Sequence, residues 1–232
     1  MNFKFLSGIK VHNMRRIGAI FVLVIMTGCG QNDKSGLTIC CAGDSLMMPI
    51  PHYLRDMLKN SKGKVNIKDW SRGGLSSRTY QNYFARRSRR WQNTKPDFVL
   101  IQLGTNDVLH LLRDHYKLAD FKENLSKIIR NFRRLKGNRY KTPKIFIASV
   151  PPFYEETQSE EENSLIQEKI NPSIQEIAQK EKIIFVDNFS VLCNRIHLYG
   201  PDGVHPNPRG QRALTKNWLF CIRSELRKSS KE

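Results

Sequence analysis

Three residue types suited to acyl chemistry stand far apart in this 232-residue chain. Ser45 lies in Gly43-Asp44-Ser45-Leu46, directly after the apolar run Leu37 to Ala42, where an open parallel sheet offers side chains to a ligand at its strand carboxyl ends. A serine hydroxyl at its free pKa is a weak nucleophile and needs a neighbouring base. His205 can be that base, because imidazole titrates near neutrality. Asp202, three residues earlier in Asp202-Gly203-Val204-His205-Pro206, is spaced to hold the ring in the tautomer that accepts a proton. Each fragment alone has a plainer reading, Ser45 as the cap of the next helix and Asp202 with His205 as a surface turn or metal-ligand pair. The G-x-S-x-G elbow does not fit, since Met47 stands where its second glycine belongs.

Two further blocks fall between these. Residues Asp69 to Tyr80 read DWSRGGLSSRTY, and Gly104-Thr105-Asn106-Asp107 follows another apolar run. Taken in order, the four blocks resemble the SGNH, or GDSL-type, hydrolase family, over about residues 37 to 221, and the GLSSRTY stretch resembles its sugar-acetylesterase branch. The resemblance implies catalytic Ser45, Asp202 and His205. It implies an oxyanion hole made by the backbone N–H groups of Ser45 and Gly74 and the side-chain amide of Asn106. Gly73 reads as a turn residue, Asp107 as an acceptor that holds its loop, and Asp44 as structural or positioning. No cofactor is implied and no metal cluster is visible; His52, His110, His115 and His197 read as surface or packing residues.

These residues need a scaffold. Continuous apolar runs at 37 to 42, 97 to 103, 144 to 150 and 182 to 186, with a weaker one at 64 to 70, have the pattern of strands buried on both faces. Helical stretches at about 50 to 60, 78 to 93, 117 to 136, 160 to 181 and 208 to 228 alternate with them, which predicts a parallel sheet covered on both sides. The expected fold is a three-layer α/β/α sandwich of five parallel strands, and the resemblance implies the order 2-1-3-4-5. In the third of these helical stretches, Leu118, Phe121, Leu125, Ile128, Ile129, Phe132 and Leu135 are spaced by three and four, with Lys127, Arg130, Arg133 and Arg134 mostly elsewhere.

The N-terminus has a different layout. Arg15 and Arg16 precede the apolar run Ile17 to Met26, which at about ten residues is too short to span a bilayer. The Met26-Thr27-Gly28-Cys29 end resembles a bacterial lipobox, so residues 1 to 28 are expected to be a signal peptide, Cys29 a lipidated N-terminus, 29 to 36 a polar tether and 37 to 232 the hydrolase domain. The chain would then be exported and lipid-anchored in a bacterial envelope or periplasm, with the true start at Met1 or Met14.

A formal charge of +18 falls to +14 without residues 1 to 28, which carry Lys4, Lys10, Arg15 and Arg16 and no acid. Arg78, Arg86, Arg87, Arg89, Arg90 and Lys95 lie in a stretch without acids. An exported protein meets lipid head groups or anionic wall polymers, so these are read as surface electrostatics or substrate steering and not as a nucleic-acid site. Glu155, Glu156, Glu160, Glu161 and Glu162 read as a solvated loop and helix start. Five cysteines are too few for a disulfide scaffold; Cys40 or Cys41 could bridge Cys221, or all could be thiols, with Cys193 unassigned.

The function expected is an esterase acting on carboxylic esters, with O-acetyl groups on envelope carbohydrate as substrate and the membrane as partner through Cys29. Trp70, Tyr80 and Trp91 are either platforms for a sugar ring or core. Rival readings are an O-acetyltransferase, a lipase or lysophospholipase with Met47, Met48 and Ile50 lining an acyl groove, and a non-catalytic envelope protein.

Overall fold

A computed structural model describes residues 36–61, 64–154 and 159–229. The segment expected to be a signal peptide, Cys29, the expected tether up to residue 35, and Glu155 and Glu156 lie outside the described residues. The strands are β1 (Leu37–Gly43), β2 (Val65–Ser71), β3 (Phe98–Gln102), β4 (Lys144–Ala148) and β5 (Ile184–Val186). They form one sheet in the order β2-β1-β3-β4-β5, every pair parallel. The central strand β1 is buried along its whole length. Its alternating side chains feed two cores, Cys40 and Ala42 one, and Leu37, Ile39 and Cys41 the other. The weaker apolar run became β2, an edge strand on which Lys68 and Asp69 face solvent.

The helices are α1 (Ile50–Leu58), α2 (Ser77–Ala85), α3 (Ser88–Gln92), α4 (Thr105–Leu112), α5 (Leu118–Arg133), α6 (Ser159–Leu165), α7 (Asn171–Lys180), α8 (Asn188–Leu192) and α9 (Pro208–Ser229). Side chains of α1, α8 and α9, with Ile50, Leu54, Leu192 and Trp218, cover one face of the sheet. Those of α2, α3, α5 and α7, with Tyr80, Trp91, Phe132 and Ile174, cover the other. On α5 the expected stripe Phe121, Leu125, Ile128, Ile129 and Phe132 is buried.

Two predicted helices are interrupted. The stretch 78 to 93 breaks after Ala85, and the break turns Trp91 inward to stack on Trp70 at 4.4 Å between ring centroids. The stretch 160 to 181 contains a π-turn over Ile166–Ile170, in which the Asn171 N–H reaches back to the Ile166 carbonyl. Pro172, in the first turn of α7, has no N–H to continue the regular ladder. Helices α4 and α8 were not foreseen, being short segments that follow strands directly.

Trp70, Tyr80 and Trp91 are 4%, 0% and 3% exposed, which excludes them as platforms for a sugar and makes them core. Cys40, Cys41, Cys193 and Cys221 are all unbridged, so the possible pairing of the β1 cysteines with Cys221 does not form. Cys40 faces the opposite core from the one α9 covers, and burial pushes the thiols of Cys40 and Cys41 well above their usual range.

Candidate active site

Strand β1 ends in a turn that its own sequence fixes. The Asp44 N–H bonds the Gln102 carbonyl at 3.1 Å, continuing the sheet ladder one residue further. Asp44 Oδ1 then accepts the Leu46 N–H at 3.0 Å, closing a loop over Ser45. Helix α1 begins only at Ile50, with Pro49 as its cap, so Ser45 is not a helix cap. Its side chain is left at the carboxyl edge of the sheet, half-buried.

Ser45 Oγ lies 2.8 Å from His205 Nε2, across 160 residues of sequence. His205 Nδ1 lies 2.7 Å from Asp202 Oδ2. The other oxygen of Asp202 accepts the backbone N–H groups of Val204 at 3.1 Å and His205 at 2.9 Å. The same carboxylate therefore shapes the turn and orients the ring. Gly203, with φ +64°, gives that turn the left-handed conformation it requires. Partial burial raises the Asp202 pKa, but the bonds from the His205 backbone and ring and from Val204 outweigh it, and the carboxyl ends below its ordinary value. It is held ionised opposite the histidine. In this geometry Nδ1 carries the proton toward Asp202 and Nε2 is free to accept one from Ser45.

The three expected oxyanion donors lie in the segments that follow β1, β2 and β3. Gly74 has φ +74° and nothing within 4 Å of where a Cβ would be, so its backbone faces open space. The neighbouring Gly73 is packed beside Ser45, since a Cβ built on it would lie 3.8 Å from Ser45 Cβ. Among the described residues no acceptor takes the backbone N–H of Ser45 or of Gly74. Asn106 sits in the first turn of α4 and gives one amide hydrogen to the Leu75 carbonyl at 3.1 Å, which ties its loop to that of Gly74 and leaves the second hydrogen uncommitted. Gly104, which starts α4, has φ +128° and passes so close to β4's loop that a Cβ there would lie 2.6 Å from Val150 Cγ2.

Two buried carboxylates support these loops. Asp107 accepts the Ser77 N–H on both oxygens, at 3.1 and 2.8 Å, the Ser77 hydroxyl at 2.5 Å and the Tyr116 hydroxyl. Burial nevertheless leaves its pKa above the ordinary value. The role of Asp107 as a loop acceptor was legible, whereas Ser77 was not singled out within its block as the partner. Tyr116 has no signal in the sequence.

Asp44 is fully buried, with Oδ2 unpaired beside an equally unpaired Thr105 Oγ1. Burial, reinforced by the charge of Asp107, pushes its pKa up to about 7 against the Leu46 N–H and the nearby Thr105. An unfolded aspartate releases its proton near pH 4, so between about 4 and about 7 the folded state holds the extra proton and stability falls as pH rises. Asp44→Asn keeps an acceptor for Leu46 and cannot ionise. Its Tm relative to the parent should rise between pH 5 and pH 8 by several degrees, at about 2–4 °C per kcal/mol for a domain of this size. Paired thermal melts showing a constant difference across that range would contradict the assignment.

Of the three residues proposed to line an acyl groove, Met47 and Ile50 are in the core and Met48 alone is exposed, 49%, against Gly73. His52 packs edge-on to Tyr53, and His110 and His115 face each other with Nδ1 atoms 3.0 Å apart. His197 is exposed and only its carbonyl is used, by Asn207. Among the described residues no three His, Cys, Asp or Glu side chains group to hold a metal ion, and no helix is long and apolar enough to cross a membrane.

A family model described as the GDSL-like Lipase/Acylhydrolase family matches residues 29–213. A multidomain esterase from Ruminococcus flavefaciens is 31% identical over 137 residues, 58% of this chain and 16% of that protein. An acetylxylan esterase from Xylanibacter ruminicola is 24% identical over 163 residues, 62% of this chain and 33% of its own length. The chain thus spans no more than about a third of the curated relatives it matches. Among solved structures, an acetylxylan esterase from Geobacillus stearothermophilus shares the fold with a TM-score of 0.66 at 18% identity, over 81% of this chain and 94% of that one.

Proposed function

Since this chain belongs to the GDSL-like lipase/acylhydrolase family, we propose that it is a serine esterase that removes O-acetyl groups from carbohydrate through an acyl-enzyme. The observation that carries the reading is the continuous line Ser45 Oγ to His205 Nε2 at 2.8 Å and His205 Nδ1 to Asp202 at 2.7 Å, at the carboxyl edge of a parallel sheet.

Ser45 Oγ attacks the ester carbonyl carbon while His205 Nε2 takes its proton, and Asp202 stabilises the imidazolium that forms. The carbonyl oxygen becomes an oxyanion, received by the N–H groups of Ser45 and Gly74 and the free amide hydrogen of Asn106. Collapse of the tetrahedral species breaks the bond to the sugar oxygen, which leaves with the proton from His205. Water then attacks the acetyl-Ser45 carbonyl, giving its proton to the same nitrogen, and a second collapse releases acetate and restores the hydroxyl.

An acetyl group suits the surroundings, because burial of Met47 and Ile50 removes two of the three side chains that could have lined a long acyl groove. The names of the relatives point the same way. The setting we propose is a bacterial envelope, with the chain exported and anchored through lipidated Cys29; this rests on the Ile17–Met26 run and the Met-Thr-Gly-Cys end. Turnover of p-nitrophenyl acetate against the p-nitrophenyl ester of a long-chain acid tests the acyl preference. The acetate should be favoured by roughly tenfold or more in kcat/KM, since each methylene that finds no apolar pocket gains nothing on binding. Preference for the long chain would overturn the acetylesterase reading.

A further inference from the structure

A groove of about 360 Å³ opens between α3 and the adjoining ends of α2 and α5. Phe84 and Leu135 form its floor, and Ser88, Gln92, Asn131 and Arg134 rise around it. An apolar floor edged by amides, a hydroxyl and a guanidinium is suited to a sugar ring, whose C–H face packs while its hydroxyls find donors and acceptors.

The charge around this groove is unbalanced. No acid occurs from Trp70 to Pro96, whereas Arg86, Arg89, Arg90 and Lys95 are exposed there and Arg134 joins them from the end of α5. None of these five has an ion-pair partner among the described residues. Elsewhere on α5 the cations are neutralised: Lys122 by Glu176, Lys127 by Glu123, and Arg130 and Arg133 by Glu181. Like charges gathered without counter-charges repel one another, and an anionic ligand relieves that repulsion. Guanidinium groups match the two oxygens of a carboxylate in particular.

The groove lies at the other end of α2 from the catalytic loops, near the starts of β3 and β4. Helix α2 starts at Ser77, bonded to Asp107 beside Asn106, and ends at Ala85 on the groove. Nine helical residues span about 13 Å, so one polymer chain can lie along α2 and occupy both places.

We propose that this groove is a subsite for the carboxylates of an acidic polysaccharide, which makes the substrate class of the Ser45 centre an O-acetylated, uronic-acid-containing glycan. The substrate half rests on the esterase reading; the binding half does not. Binding in two places on one chain raises the effective concentration of acetyl groups at Ser45.

The test uses the full chain and calorimetric titration with polygalacturonate, a neutral mannan and an inorganic polyphosphate of matched charge. The wild type should bind polygalacturonate well above the other two. R89E/R90E/R134E should weaken that binding by roughly tenfold or more, as should raised salt. S88A/Q92A/N131A, which changes no charge, should weaken it as well, while both variants turn over p-nitrophenyl acetate like the parent. Equal binding by parent and charge-reversed protein, or polyphosphate bound as tightly as polygalacturonate, would overturn the subsite. If the parent fails to cleave p-nitrophenyl acetate, the esterase reading falls and the binding arms still decide the groove.

Discussion

Ser45→Ala and His205→Ala should each lower kcat/KM on p-nitrophenyl acetate by about 10⁴–10⁶, and the double variant should be little slower than either. On the proposed mechanism the hydroxyl and the imidazole, 2.8 Å apart, act as one unit in which proton transfer and attack are a single event. Removing either partner removes the whole advantage. What survives is the contribution of the oxyanion donors and binding, so the second substitution has little left to take. Both side chains are at least partly exposed, and neither belongs to the core, so thermal melts should stay close to the parent. Steady-state kinetics on the four proteins of the cycle check this. Losses that multiply, or a His205→Ala protein within tenfold of the parent, would show that the pair does not act together.

Asn106→Ala should lower kcat by about 10²–10³ with little change in KM, because on the proposed mechanism its uncommitted amide hydrogen meets charge that exists only in the transition state. The same amide also bonds the Leu75 carbonyl, so part of the effect could come from a loosened Gly74 loop. The split between kcat and KM separates the two. A displaced loop disturbs ground-state binding as well, whereas a lost oxyanion donor leaves it alone. Asn106→Asp should be no better than Ala, since a carboxylate there repels the developing oxyanion. Rescue by Asp, or a rise in KM that accounts for the whole loss, would contradict the role.

Much of this architecture was legible because hydrophobic burial leaves a periodic trace. The runs at 37 to 42 and 97 to 103 announced strands covered on both faces, and the α5 stripe announced its buried side. Tertiary packing decided what the pattern could not. The break after Ala85 accompanies the stacking of Trp91 on Trp70 and Phe132, and nothing local to Arg86 or Arg87 marks it. For that reason three aromatic residues near the second block stood open as sugar platforms until burial assigned them to the core. At the site, Ser45, Asp202 and His205 were readable from residue type and block order. The hydroxyl of Tyr116 on Asp107 was not, since it comes from a loop with no motif. Nor was the elevated pKa of Asp44, which comes first from its complete burial and then from the charge of Asp107 nearby.

The most direct test is covalent. A fluorophosphonate probe traps a serine only where a base and oxyanion donors have already activated it. Peptide mass spectrometry of the treated full chain should find one adduct, on the peptide containing Ser45, absent from Ser45→Ala and strongly reduced in His205→Ala. A protein that stays unlabelled, or an adduct on a different serine that persists in Ser45→Ala, would contradict the account.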